Sequence, residues 1–107
     1  MAALGEFEVA VLMAVLRLGN EANGSEVRTE IERRTSRRVS RGSVYITLDR
    51  LEEKRRLSSR TLNAPTVRGG VTRRFHVTPA GLKDLRHAVS NFARMHEGLE
   101  PLLGNLR

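Results

Sequence analysis

A mainly α fold carrying one small β-hairpin is what this sequence predicts. Apolar residues repeat at helical spacing in successive segments, capping residues stand just ahead of several of them, and two short strand-like runs flank a glycine-containing loop. At 107 residues the chain has room for one domain with a single modest core.

In the first segment, Leu4, Phe7, Val11, Leu12, Val15 and Leu16 recur at helical spacing, and Gly19 and Asn20 then supply stop signals. Asn23-Gly24-Ser25-Glu26 has the cap and third-position acid of a capping box, opening a second helix to about Arg34 with Val27 and Ile31 one turn apart. Ser40 caps a third helix in which Val44, Leu48 and Leu51 repeat along one face, ending near Lys54 or Arg55. Leu57 to Leu62 and Arg73 to Val77 read as strands of a hairpin whose long tip holds Pro65, Gly69 and Gly70. Thr78-Pro79 starts a last helix, a hydroxyl cap followed by a proline whose missing donor costs nothing there. Leu82, Leu85, Val89, Phe92, Leu99 and Leu103 form its stripe, with His96 between Phe92 and Leu99 and candidate breaks at Gly98 and Pro101. This order is that of a winged helix-turn-helix, residues 1–77, with an appended C-terminal helix, residues 78–107, the two forming one compact unit.

Nineteen Lys and Arg against twelve Asp and Glu give a formal charge of +7, which points to a polyanionic partner, nucleic acid ahead of an anionic membrane surface. The chain has no cysteine, which excludes disulfides, thiolate metal sites and cysteine nucleophiles. His76, His87 and His96 lack metal-ligand spacing, and no phosphate loop or catalytic set is recognisable, so neither an enzyme nor a cofactor is expected. The apolar stretch Val9 to Leu16 is too short to span a bilayer and follows Glu6 and Glu8, where a signal peptide would be basic. A cytoplasmic protein is expected.

Arg33, Arg34, Arg37, Arg38 and Arg41 crowd the turn and the start of the third helix, with no acid before Asp49. Such a block fits phosphate contact at a helix N-terminus, and equally a solvated basic loop. With Val44, Leu48 and Leu51 inward, Arg41, Ser43, Tyr45, Ile46, Asp49 and Arg50 occupy the outer and flanking faces. Tyr45 suits a phosphate or sugar contact, or a half-buried aromatic with its hydroxyl at the surface. From Lys54 to Lys83 there is again no acid, and Arg68, Arg73 and Arg74 flank the hairpin glycines, as a wing entering a minor groove or clamping backbone requires. Leu82, Leu85, Val89, Phe92, His96 and Leu99 can serve a core, a dimer seam or a pocket wall; the dimer seam is favoured because so small a domain has little need to bury this stripe itself.

The sequence resembles the PadR-like family of winged-helix transcriptional regulators over nearly its whole length. Ser40-Arg41-Gly42-Ser43-Val44-Tyr45 with Leu48-Asp49-Arg50-Leu51-Glu52-Glu53-Lys54 carries the resemblance, together with Arg68-Gly69-Gly70 and Arg73-Arg74-Phe75-His76-Val77-Thr78-Pro79-Ala80-Gly81. The N-terminal Leu4-Gly5-Glu6-Phe7-Glu8 also fits. The resemblance implies a homodimeric repressor on double-stranded DNA, with Ser40, Arg41, Ser43, Tyr45 and Arg50 at the helix contacts and Arg68, Arg73 and Arg74 on the wing. The basic block adds Arg37 and Arg38 as candidate DNA contacts, and two-fold pairing makes an inverted-repeat operator the expectation. Two departures stand out: Ile46 replaces a frequent proline, and Arg55 stands where many members end the helix with glycine. Relatives that bind small-molecule effectors often use tryptophan, which this chain lacks, so an effector stays unidentified. A winged-helix assembly module and an RNA-binding winged helix are the competing readings.

Overall fold

The computed structural model describes residues 3–64 and 70–104. The chain runs α1 (Glu6–Arg17), α2 (Gly24–Thr35), α3 (Arg41–Glu53), β1 (Leu57–Ala64), β2 (Gly70–Val77), α4 (Pro79–His96) and α5 (Glu100–Leu103). It is the expected winged helix-turn-helix with an appended helix. Val11, Leu12, Val15, Val27, Val44, Leu48, Leu51, Leu57 and Phe75 make its fully buried centre.

The strands pair antiparallel from Leu57 opposite Val77 to Ala64 opposite Gly70, longer by two or three residues than the apolar pattern suggests. A third element joins them. Ala22 exchanges backbone hydrogen bonds with Phe75 at 3.1 and 2.8 Å, and the Asn20 carboxamide accepts from the Val77 amide, so the α1–α2 turn is stitched to the wing. Buried backbone groups are thereby paired, and the hairpin leaves the domain at a fixed angle.

The end of α3 shows why Arg55 does not extend the helix. The Arg56 amide donates to the Leu51 carbonyl and the Arg55 amide to the Glu52 carbonyl, both at 2.9 Å, which is a Schellman closure. Arg55 holds the left-handed position, at φ 62°, that glycine normally takes. A side chain there costs about 1 kcal/mol. Arg55→Gly should therefore stabilise the domain by about 0.5–1 kcal/mol, raising Tm by several degrees in a calorimetric comparison with the parent.

The C-terminal helix is divided. Gly98 turns the chain at φ 82°, so Leu99 and Leu103 belong to a separate short element and do not continue the α4 stripe. Leu85 is a correction of another kind: at 6% exposure it lies in the domain's own core, and Leu82 packs half-buried beside it. Beyond Leu85 the helix leaves the core, with Val89, Phe92 and Met95 exposed. No helix among the described residues is long and apolar enough to cross a membrane.

Candidate nucleic-acid interface

The helix-turn-helix is held by bonds that fix where α3 begins. Asn23 accepts from the Glu26 amide and Glu26 accepts from the Asn23 amide, the capping box expected at the start of α2. Ser36 ends α2 in a left-handed conformation. Val39 is then buried in the turn, where its amide donates to Glu32 Oε2 at 2.9 Å and its carbonyl accepts from Arg28 Nε at 2.8 Å. Two side chains one helical turn apart thus grip both polar groups of one turn residue. Ser40 caps α3 by accepting from the Ser43 amide, and its hydroxyl also donates to the Ser43 hydroxyl at 2.7 Å. The capping role of Ser40 was legible in the sequence, but its bond to the Ser43 hydroxyl was not.

On α3, Val44, Thr47, Leu48 and Leu51 are buried, whereas Arg41, Gly42, Ser43, Ile46, Asp49, Arg50 and Glu53 are exposed. Tyr45 is half-buried, with the Arg41 guanidinium 5.4 Å from its ring centroid. Its ring lies against the start of α2. A methyl group added at Gly24 would stand 2.5 Å from the ring, so this glycine gives Tyr45 its seat. Tyr45 therefore combines the two readings open in the sequence: part of the ring packs between α2 and α3, and part remains accessible.

The arginines divide by partner. Arg33 and Arg34 both bind the buried Glu30 carboxylate, at 2.7 and 2.9 Å. Burial alone would raise the pKa of Glu30, but the hydrogen bonds from Arg34 and Arg33 outweigh it and hold the carboxyl below its ordinary value. Arg37 lies 3.6 Å from the highly exposed Glu6, a weak pair. Arg38, Arg41 and Arg50 have no ion-pair partner among the described residues. Arg38 and Arg41 stand at the start of α3 and Arg50 in its last turn.

The wing is less free than its acid-free stretch suggests. Arg73 reaches back to α3, binding Asp49 at 3.0 Å and Glu52 at 2.5 Å, and lies 4.8 Å over the Phe75 ring. Burial would lower its pKa, yet the Asp49 hydrogen bond and the charges of Glu52 and Asp49 raise it, so Arg73 stays firmly charged. Arg74 pairs with Glu26 at 3.2 Å, and Arg60 pairs with Glu21. Any phosphate contact by Arg73 or Arg74 competes with these carboxylates. Arg68 lies outside the described residues, as do Pro65 and Gly69.

A second surface lies along α1 and α4. α1 and α4 enclose an open, mostly apolar groove of about 910 Å³ between Leu4, Val9 and Met13 on one wall and His87, Val89 and Phe92 on the other. Phe92 is 73% exposed and stacks on His96, whose Nδ1 lies 3.3 Å from Glu100. Met13 and Met95, both exposed, extend this surface beyond the residues that the heptad pattern marks. No group of three potential metal ligands occurs among the described residues.

The family model described as the transcriptional regulator PadR-like family matches residues 12–98. No curated protein sequence matches the chain significantly. Among solved structures, a PadR family transcription regulator from Clostridium difficile superposes with a TM-score of 0.75 at 19% identity, covering 94% of this chain and 100% of that one. A PadR-like transcriptional regulator from Bacillus cereus gives 0.73 at 21% identity, with 92% of each chain covered. F93 from STIV, described as a winged-helix DNA-binding protein, gives 0.70 at 21% identity over 91% of this chain and 98% of that one.

Proposed function

The chain belongs to the PadR-like family of transcriptional regulators, and from that premise we propose that it is a cytoplasmic repressor that binds an inverted-repeat DNA operator as a homodimer. One observation carries the DNA reading. Arg38 in the turn and Arg41 at the capped start of α3, with Arg50 in its last turn, have no ion-pair partner among the described residues and flank the α3 face that enters a groove in helix-turn-helix proteins. An assembly module would keep apolar side chains on α3 and the wing. Here most of the exposed large apolar residues among the described ones lie from Val89 to Leu103, with Met13 on α1, whereas α3 and β1 carry one each, Ile46 and Leu62.

In this reading Arg37, Arg38, Arg41 and Arg50 meet phosphate or base edges, Ser40 and Ser43 bond phosphate at the helix start, and Tyr45 holds Arg41 in place while offering its hydroxyl to the backbone. Arg73 is first a brace between wing and α3. Arg74, beside Glu26 of α2, and Arg68 contribute further positive charge in this reading.

The test is duplex selection from a randomised pool with the purified protein, followed by gel shifts on the enriched and scrambled duplexes. Arg41→Ala is expected to lose about 1–3 kcal/mol on the enriched duplex and less on the scrambled one. Equal loss on both would make Arg41 a phosphate contact only. Failure of the pool to enrich any sequence would overturn the operator reading itself.

A further inference from the structure

The solvent-facing ridge of α3 is not basic. Gly42, Ile46, Asp49 and Glu53 fall on it, opposite the buried Val44, Leu48 and Leu51, while Arg41, Ser43 and Arg50 lie to its sides. Residues at the sides of a groove-bound helix reach the phosphate walls and, when as long as arginine, the base edges beside them, whereas those on its outermost ridge meet the groove floor directly. The side chain at the middle of this ridge is apolar. Ile46 is 59% exposed, and it takes no part in the core or in the half-buried shell around it.

Gly42 adds a second, independent observation. Its φ is not in the left-handed region, and a methyl group built there meets nothing within 4 Å. Neither backbone conformation nor internal packing therefore asks for glycine, although glycine in a helix costs up to about 1 kcal/mol relative to alanine. The open space lies on the ridge beside Ile46. Lack of a side chain there lets another molecule approach the helix backbone closely.

Resting on the DNA-binding reading above, we propose that Gly42 and Ile46 form the base-reading ridge of α3: Ile46 packs on the 5-methyl group of a thymine in the major groove, and Gly42 admits the base edge close to the helix. Thymine is singled out because its methyl is the apolar group that the major groove presents. Asp49, the next ridge residue, is held by Arg73, so its charge is partly neutralised where the helix passes between phosphates.

The experiment uses the full chain and the duplex enriched by selection, with each thymine replaced in turn by deoxyuridine, which pairs identically but lacks the methyl group. Wild type is expected to lose about fourfold in affinity at one thymine per half-site, the worth of one buried methyl. Ile46→Ala should bind the thymine duplex about fourfold more weakly and show no further loss with deoxyuridine. Gly42→Ala should weaken binding while leaving the thermal midpoint equal to or above the parent's. Deoxyuridine substitutions without effect on wild type, or with the same effect on Ile46→Ala, would overturn the proposal and leave DNA binding standing. A pool that enriches no sequence would overturn both together.

Discussion

Phe92→Glu should turn the protein into a folded monomer that binds its operator weakly. Phe92 is 73% exposed, and Val89 and Met95 beside it are 45% and 78% exposed, so this part of α4 contributes nothing to the domain core. An exposed apolar face of α4 that forms one wall of an open groove with α1 suits a symmetric partner that lays its own α4 into that groove. In an isologous seam each substitution counts twice. Burying an unpaired carboxylate costs about 3–5 kcal/mol, enough to weaken dimerisation by two to three orders of magnitude at least. Sedimentation should then show the monomer at micromolar concentration, with an unchanged helical circular dichroism spectrum and a large loss in operator titration, because two α3 helices no longer address neighbouring major grooves together. A variant that stays dimeric and binds normally would place the dimer elsewhere. An unfolded one would show that Phe92 supports the monomer.

Most of the fold was legible because its determinants are local. Asn23, Ser40 and Thr78 cap the helices they were expected to cap, and Val11, Leu12, Val15, Val44, Leu48 and Leu51 of the apolar repeats are buried, while Leu4, Phe7 and Leu16 are half-buried and Ala14 and Thr47 join the core unannounced by the pattern. What could not be read depends on which segments meet. The run from Lys54 to Lys83 contains no acid, and its arginines looked free to meet phosphate. Folding brings Asp49 and Glu52 of α3 to Arg73 and Glu26 of α2 to Arg74, partners 21 to 48 residues away. Charge segregation along a sequence thus does not survive as charge segregation in space. Leu85 shows the same limit in the apolar pattern, since the α4 stripe is continuous in sequence but passes from core to surface one turn beyond it, between Leu85 and Val89. Arg55 was the reverse case: the mismatch with a glycine position was visible, and the structure shows the cap formed regardless, at φ 62°.

Among the described glycines, Gly81→Ala should be the most destabilising methyl addition. The added methyl would stand 2.2 Å from the Arg56 carbonyl oxygen and 2.9 Å from a Val77 methyl, so backbone has to move. That carbonyl has little freedom, because it accepts from the Thr78 amide at 3.1 Å while the Thr78 hydroxyl donates to the Arg55 carbonyl at 2.7 Å. The Thr78 hydroxyl also accepts from the Gly81 amide at 3.0 Å, capping α4. The Arg56 side chain meanwhile pairs with the mostly buried Asp84 of α4. Thr78-Pro79-Ala80-Gly81 is therefore the joint where the end of α3, the base of the wing and the start of α4 are locked together. Overpacking against a fixed backbone costs about 3 kcal/mol, which for a domain of this size lowers the melting temperature by roughly 10–20 °C. Gly42→Ala, where the added methyl meets open space, is the matched control and should not lower it. The variant that still folds has a second expected defect. Since the joint sets the angle between α3 and the proposed dimer helix, Gly81→Ala should bind an operator of the parent half-site spacing disproportionately weakly at a temperature where circular dichroism shows it fully folded. Thermal melts of the two variants, followed by operator titrations below both transitions, separate these effects. Coincident melts would show that the junction yields easily, and unimpaired binding would show that the angle is set elsewhere.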